Sequence, residues 1–452
     1  VNYSEALAYI YSLTDYERLT RHPGSFCLDR IARLLGRLGD PQHAYPSFLI
    51  AGTKGKGSTA ALMASVLREN GYRVGLYTQP HLHSYRERIQ VDGKPIPPED
   101  VAAGVAALHP AIEAMSAGGE IPSTYEATTA LAFRYFALEK IDVAVLEVGL
   151  GGRLDATNIV KPVVSVIAPV SLDHTEVLGE TVDRIAWEKA GIIKEFGFVA
   201  TAQTYPEALA VVKEVAAQKH ARVATVGKEV AILHRWISFD HVRALSQTLT
   251  LGFDPSVMPP AWPSKLTLEV TLLGIHQAIN ASLAALALGL AMRTGQVVVD
   301  VDALVRGFRS VVWPARMEVL RLNPIVVVDG AHNRDSMRSL MVSLREEFTY
   351  RSLVVVFGAS ADKDIQAMAD EIAVEADLVI VTRSRHPRAA SPERIADCCR
   401  RTGLQVSVAK SVDEALRQAL DRAGPEDLIC VTGSLFVAAE AREVLGVPVE
   451  GD

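Results

Sequence analysis

The chain has little cysteine, no run of basic charge, no apolar stretch of membrane length and no repeats, and each absence narrows the field. Only four cysteines occur among 452 residues: Cys27, Cys398, Cys399 and Cys430. No pair has zinc-ligand spacing, and Cys398 and Cys399 are adjacent inside a helical pattern. All four are expected to be reduced, small apolar side chains of a cytosolic protein. The formal net charge is -7, with no long basic block, which argues against a nucleic-acid partner or an anionic membrane surface. No apolar run approaches the roughly 20 residues of a transmembrane helix. The start, Val1-Asn2-Tyr3-Ser4-Glu5, lacks the basic and apolar regions of a signal peptide, so a cytoplasmic location is expected. No internal repeat or low-complexity tract is visible. What is left is ordinary globular composition, 49% apolar and 22% charged, with length for two or three domains of about 150 residues.

One stretch organises the rest: Ala51-Gly52-Thr53-Lys54-Gly55-Lys56-Gly57-Ser58-Thr59. The apolar run Ser47-Phe48-Leu49-Ile50 leads into it as a buried strand, and a helical pattern over 59–70 leads out. Strand, glycine-rich turn and helix start make a phosphate cradle, because glycines let backbone N–H groups turn toward an anion at the positive end of a helix. Lys56 can reach the outer phosphates and the Ser58 hydroxyl can hold Mg²⁺. The match to the common phosphate-loop pattern is imperfect, since Gly57 separates Lys56 from Ser58. A tight turn that merely needs small residues is the bland alternative.

Around this loop the chain reads as α/β. Helices are expected over 4–12, 28–38, 98–115, 124–140, 181–190 and 206–219, and strands over 73–77, 143–146 and 163–170. Arg86-Glu87-Arg88-Ile89 and Val91-Asp92-Gly93-Lys94 read as a short hairpin. The strand at 73–77 completes a βαβ unit, which predicts a parallel sheet. Loops at the carboxyl ends of such strands carry ligands. There lie His81 and His83, functional or simply solvated. Glu147 ends the next strand, where a carboxylate is costly without a partner: a cation, or an arginine such as Arg153. His174 follows the third strand, as an imidazole ligand or a structural histidine. Ser58, Glu147 and His174 together would suit an oxygen-rich octahedral site with one imidazole. Lys189, read from spacing alone, is a solvated helix lysine.

From 198 to 263 the pattern weakens to a strand, a helix and shorter β-like runs. A strand over 266–270 follows, and His276, Gln277 and Asn280 then open a very apolar helix over 281–292, as a base-reading surface or an ordinary cap. Residues 293–302 read as a linker. Beyond it, strands at 325–328, 353–357, 378–381, 406–408 and 428–431 alternate with helices at 335–348, 365–373, 392–401 and 412–423, a second doubly wound parallel domain. Arg316, just before that domain's first strand, is placed to clamp a phosphate or to form a surface ion pair.

These landmarks, in this order, resemble the folylpolyglutamate synthase and dihydrofolate synthase enzymes of the Mur ligase superfamily. They are the loop at 52–58, Pro80-His81-Leu82, Glu87-Arg88-Ile89, the stretch 146–158, Leu172-Asp173-His174-Thr175, Glu188-Lys189-Ala190-Gly191, His276-Gln277-Ala278-Ile279-Asn280, Trp313-Pro314-Ala315-Arg316 and Asp329-Gly330-Ala331-His332-Asn333. The resemblance implies a phosphate-loop ATPase domain with a mostly parallel sheet, binding ATP and folate over 1–296. A smaller Rossmann-like glutamate-ligase domain would follow over 297–452. It implies Mg²⁺ held by Ser58, Glu147 and His174, and nucleotide contacts from Gly52, Thr53, Lys54, Gly55, Lys56, Gly57, Ser58, Thr59, Asn280, Arg316 and Asp329. Lys189 matches a lysine that is carbamylated in many such ligases, which puts it beside Lys56 and His174 as a catalytic candidate. Leu28, Asp29, Arg30, His81, Thr124, Arg153 and Asp155 fall to the acceptor side. Four departures stand out: Lys54 replaces asparagine, Gln79 serine, Ala315 glycine and Arg334 proline.

The implied reaction transfers the γ-phosphoryl of ATP to a carboxylate, and the amine of L-glutamate then attacks the acyl phosphate. The expected partners are small molecules, namely ATP, L-glutamate and a folate or dihydropteroate, acting on a monomer. Cell-wall Mur ligases, which act on UDP-sugar peptides, are the nearest rival. The loop begins only about 50 residues in, short for a separate UDP-binding domain before it. A nucleotide-driven switch ATPase is the rival from another class.

Overall fold

Ser47-Phe48-Leu49-Ile50-Ala51 is buried along its whole length, as an apolar strand covered on both faces must be. In the computed structural model, which describes residues 1–13, 27–238, 246–449 and 451–452, this strand lies inside an eight-stranded sheet. The polar residues read after the first helix, over 14–22, lie outside the described residues. In chain order the first part contains α1 (Tyr3–Ser12), α2 (Leu28–Arg37), β1 (Ser47–Ala51), α3 (Lys56–Glu69), β2 (Val74–Tyr77), β3 (Ile89–Val91), β4 (Lys94–Pro95), α4 (Pro98–Ala117), α5 (Thr124–Leu138) and β5 (Val143–Glu147). It continues through β6 (Val164–Ile167), α6 (Thr175–Leu178), α7 (Val182–Ala190), β7 (Phe198–Thr201), α8 (Pro206–Gln218) and β8 (Arg222–Thr225).

The sheet order is β4-β3-β2-β5-β1-β6-β7-β8. The expected parallel βαβ unit is present, but β5 lies between its two strands and pairs with both. Among the described strands of this sheet only β3 is reversed, pairing antiparallel with β2 and with β4, its partner in the expected hairpin. Helix α3 starts at Lys56, ahead of the expected residue 59. Gly55 adopts a left-handed conformation, φ 79°, and serves as its N-cap, so the helix begins inside the glycine run.

The β-like runs after β8 form a three-stranded antiparallel sheet of β9 (Val230–Ser238), β10 (Ser246–Phe253) and β11 (Lys265–Val270). Helix α9 (Ile275–Met292) is the one helix among the described residues long and apolar enough to cross a membrane, against the expectation that no run comes near. Its composition has another cause: 78% of it is buried, in the core formed with β1, α3 and β6. Helix α10 (Val301–Ser310) begins at the end of the segment read as a linker and runs on where no element was expected. It packs on α3, with Ser65 Oγ donating to Gly307 O at 2.8 Å and Phe308 fully buried.

The second sheet is built from β12 (Glu318–Leu322), β13 (Ile325–Val328), α11 (Arg334–Glu347), β14 (Leu353–Phe357), α12 (Ile365–Ile372), β15 (Leu378–Val381), α13 (Pro392–Arg401), β16 (Gln405–Val408), α14 (Val412–Arg422), β17 (Leu428–Thr432) and α15 (Leu435–Val444). Its order is β12-β13-β17-β14-β15-β16, parallel except for edge strand β12. The expected doubly wound domain is therefore present, with β12 and α15 added at its margins.

A polar chain joins this domain to the small sheet. Arg235 on β9 pairs with Glu347 at the end of α11, whose side chain is 1% exposed. Arg235 Nε also donates to Gln247 Oε1 at 2.6 Å, and Gln247 Nε2 donates to the carbonyls of Leu272 and Gly274 ahead of α9. Removing one partner of a buried pair strands the other charge. Arg235→Met is expected to lower unfolding stability by about 3 kcal/mol, read from the urea midpoint. Adding Glu347→Leu is expected to recover most of that loss.

Candidate functional site

Strands β1 and β5 run in register, with Ile50 beside Glu147, so the glycine loop and the carboxylate emerge together at the carboxyl edge of the sheet. Glu147 is 4% exposed. Its Oε2 accepts the Gln79 N–H at 3.1 Å, and its Oε1 lies 3.9 Å from Lys56 Nζ. Burial pushes this carboxyl above its ordinary pKa, and Lys56 opposes the shift. Arg153 is not its partner. Arg153 pairs instead with Glu188 at 2.9 Å and stacks under Trp187, 4.7 Å from the ring centroid.

The loop itself is tightly held. The N–H groups of Thr53 and Lys54 both donate to Pro169 O, at 3.0 and 3.2 Å. Thr53 Oγ1 donates to Ser171 O and accepts from Ser171 N. The amides left to face an anion are those at the start of α3, where the helix dipole is positive. A Cβ on Gly52 would sit 2.7 Å from Ala168 Cβ, one on Gly55 would overlap the Asn280 carboxamide, and one on Gly57 would reach the Trp313 ring at 2.9 Å. Ser58 is buried in the first turn of α3 beside these groups, and Thr59 is fully buried behind it.

Lys189 is not solvated. It is 4% exposed, and its Nζ donates to Gly52 O at 3.0 Å. Burial first, and then the charge of Lys56, lower its pKa to about 7. The second glycine loop is fastened to the helix that carries it. Arg153 N donates to Glu188 O at 2.8 Å, and a Cβ on Gly152 would meet that same oxygen at 2.9 Å. Asp155 accepts from Gly149 N, Leu150 N, Thr157 N and the Tyr125 and Thr157 hydroxyls, so its carboxylate shapes the loop.

His174 follows β6 in a left-handed conformation, φ 49°. Its side chain is 40% exposed, with Nε2 3.9 Å from Asp173 Oδ1. Burial would raise the Asp173 carboxyl, but His174, His332, Lys363 and Lys56 hold it below its ordinary range. Among the described residues no three His, Cys, Asp or Glu side chains form a group able to hold a metal ion.

From the second domain, Arg316 sits between two non-glycine residues in the left-handed region, Ala315 at φ 55° and Met317 at φ 46°. Ala315 thus holds a conformation that glycine adopts without strain. Asp329 secures this turn, accepting from Met317 N and Ala331 N at 2.8 Å each. His276, at the start of α9, is driven to a pKa of about 4 by burial and then by Arg316. It is a neutral ring in a cationic corner. Asn280 lies one turn on, its Nδ2 donating to Gln277 Oε1 at 2.9 Å.

The remaining residues expected to bind substrate are held by α2, α5 and the loop after β2. Leu28, Asp29 and Arg30 open α2, and Arg30 Nε donates to Glu126 Oε2 at 2.7 Å. The Thr124 hydroxyl donates to Ile10 O and Leu13 O, tying α5 to α1. His81 Nδ1 accepts from Arg88 Nε at 2.9 Å, which places the proton of the neutral ring on Nε2. Sequence reasoning missed Asp173 and Trp313 as site neighbours. Both lie inside motifs already singled out, and neither has a local pattern that shows where its side chain points.

Two family models match the chain: the Mur ligase middle domain over residues 50–288 and the Mur ligase glutamate ligase domain over 315–435. The dihydrofolate synthase/folylpolyglutamate synthase of Bacillus subtilis is 34% identical over 92% of this chain and 94% of its own. The chain belongs to the folylpolyglutamate/dihydrofolate synthase family of Mur ligases. The folylpolyglutamate synthase of Mycobacterium tuberculosis complexed with ADP superposes with a TM-score of 0.86, at 33% identity and 99% coverage of both chains. The chain also aligns along 98% of its length with a probable bifunctional folylpolyglutamate synthase/dihydropteroate synthase of Haloferax volcanii, at 38% identity. It spans about half the length of that relative and of the similar one from Halobacterium salinarum.

The family loop depends on its glycines here. Gly55→Ala is expected to destabilise the fold by about 1–2 kcal/mol from its left-handed backbone alone, with a further loss from overlap with Asn280. Gly36→Ala on α2 has nothing within 4 Å of the new Cβ and is expected to gain about 0.5–1 kcal/mol. Paired denaturation curves check both.

Proposed function

We propose that the chain is an ATP-dependent carboxylate–amine ligase. It joins L-glutamate to the carboxylate of a folate, of dihydropteroate, or of both, through an acyl phosphate, releasing ADP and phosphate. The observation that carries this reading is the meeting of three groups at one loop: Lys56 beside buried Glu147, buried Lys189 on Gly52 O, and Arg316 of the second domain, whose charge acts on Glu147. Relatives complexed with ADP, or with both DHPP and ADP, support the nucleotide and the acceptor class.

In this reading the α3 amides and Lys56 bind the phosphates, and Arg316 approaches the same charge from the other domain. Preorganised donors of this kind stabilise the transferring phosphoryl group without reorganising in the transition state. Closing the two domains would keep water from the acyl phosphate. Glu147 suits a divalent cation: it is a buried carboxylate whose cationic neighbour stands at 3.9 Å, beyond hydrogen-bond length. Ser58 and Glu147, with His174 from the neighbouring loop, are the residues that would hold Mg²⁺, which would neutralise phosphate charge. Lys189 would act as a carbamate, an anion positioned next to the loop. Carbamate formation needs the neutral amine, which its lowered pKa supplies near neutral pH.

Purified protein given ATP, Mg²⁺ and L-glutamate is expected to release ADP only when an acceptor is added. Turnover with dihydropteroate alone, tetrahydrofolate alone, or both assigns the acceptor; turnover with neither overturns the reading. Bicarbonate is expected to raise the activity of CO₂-depleted enzyme above about pH 7, with the effect fading as pH falls through about 7 and Lys189 protonates. Lys189→Gln is expected to lower kcat by roughly 10²-fold and to abolish the bicarbonate response.

A further inference from the structure

Lys54 of the phosphate loop has a partner in the other domain. Lys54 Nζ lies 3.5 Å from Asp335 Oδ2, and Asp335 stands in the first turn of α11, just after the 329–333 motif. The Lys54 backbone is pinned by its bond to Pro169 O, so the contact reports how close α11 comes to a fixed loop. The side chains are 28% and 33% exposed. Burial lowers the Lys54 pKa, while Asp335 and Asp173 favour its charge and Arg338 opposes it. The neighbouring cations of α11 are already engaged, since Arg334 and Arg338 both pair with Glu371 inside the second domain.

We propose that Lys54 and Asp335 are a positioning pair that draws the second domain onto the phosphate loop when a nucleotide is bound; this rests on the nucleotide reading given above. An ammonium group has three donors, so Lys54 can serve Asp335 and a phosphate oxygen together. Without it, the Asp335 carboxylate would approach bound phosphates as a like charge, and closure would be opposed. An asparagine side chain is too short and carries no charge to play this part. The pair is partly exposed, so its effect is modest, about two- to fivefold.

The test places a donor and an acceptor fluorophore on the two domains and titrates wild type, K54N, D335N and the double variant with ADP or a non-hydrolysable ATP analogue. Neither acceptor nor glutamate is present. Each single variant is expected to shift the closed-to-open ratio of the nucleotide complex about two- to fivefold toward open, the double variant no further than either single, and K54R to restore closure. In turnover assays kcat is expected to fall with the closed fraction, while D335N leaves nucleotide affinity within about twofold. Wild-type closure in D335N, or effects of the singles that multiply in the double, would overturn the proposal. Closure that behaves as expected in a protein that turns over no folate acceptor would uphold the pair and defeat the folate reading instead.

Discussion

Glu147 is a carboxylate removed from water, held at the end of a central strand by one backbone N–H and a lysine that stands slightly too far away. Much of the site follows from keeping it there. Its place is set by register: β5 pairs with β1 so that Glu147 falls beside Ile50, the residue before the last of β1. The glycine loop that leaves β1 must then pass close to the carboxylate. At Gly57 a Cβ would lie 3.3 Å from Glu147 Oε2, so the start of α3 runs against it. A buried carboxylate needs compensation, and the positive end of α3, Lys56 and a cation are the compensations this geometry allows.

Close backbone approach is the second theme. The loop at 52–57 is wedged between Ala168, Asn280 and Trp313, and the loop at 149–152 is laid against the carbonyls of Glu188 and Lys189. Through these contacts Lys189 reaches Gly52 O, and burial more than any one neighbour brings its pKa down to about 7. The turn carrying Arg316 has no glycine at its two left-handed positions. Residues held in sparsely populated backbone conformations persist where the surroundings determine them. Here Asp329, accepting two backbone N–H groups across that turn, supplies the determination.

Groups of the two domains face one another across the proposed site. The first brings the loop, Glu147 and Lys189. The second brings Arg316, Asp329 and His332, and Asp173 from the first lies where the charge of His332 reaches it. Arg235 and Glu347, with Gln247, connect the second domain to the turn ahead of α9. Asn280, which contacts the loop, sits on that helix.

Local order was legible in the sequence. The β1 strand, the glycine run, the helix after it and the alternation of the second domain are all written in short-range periodicity and in glycine placement. The ordered motifs were enough to place the chain in its family. Reading failed where distant segments choose their neighbours. Nothing near 143–147 says that β5 will insert between β1 and β2, and that insertion is what sets Glu147 beside the loop. Lys189 looks like any surface lysine until α7 is packed against the second glycine loop, and Arg153 looks available to Glu147 until Glu188 claims it. Helix α10 hid behind a valine-rich run that seemed β-like, because its partner, α3, lies far away in the chain. Backbone preference and side-chain period are properties of a few adjacent residues, so the sequence by itself determined most of the elements and the family. Burial, ion pairing and lowered or raised pKa values belong to surfaces brought together across the fold, so only the tertiary structure decided which of the marked residues meet.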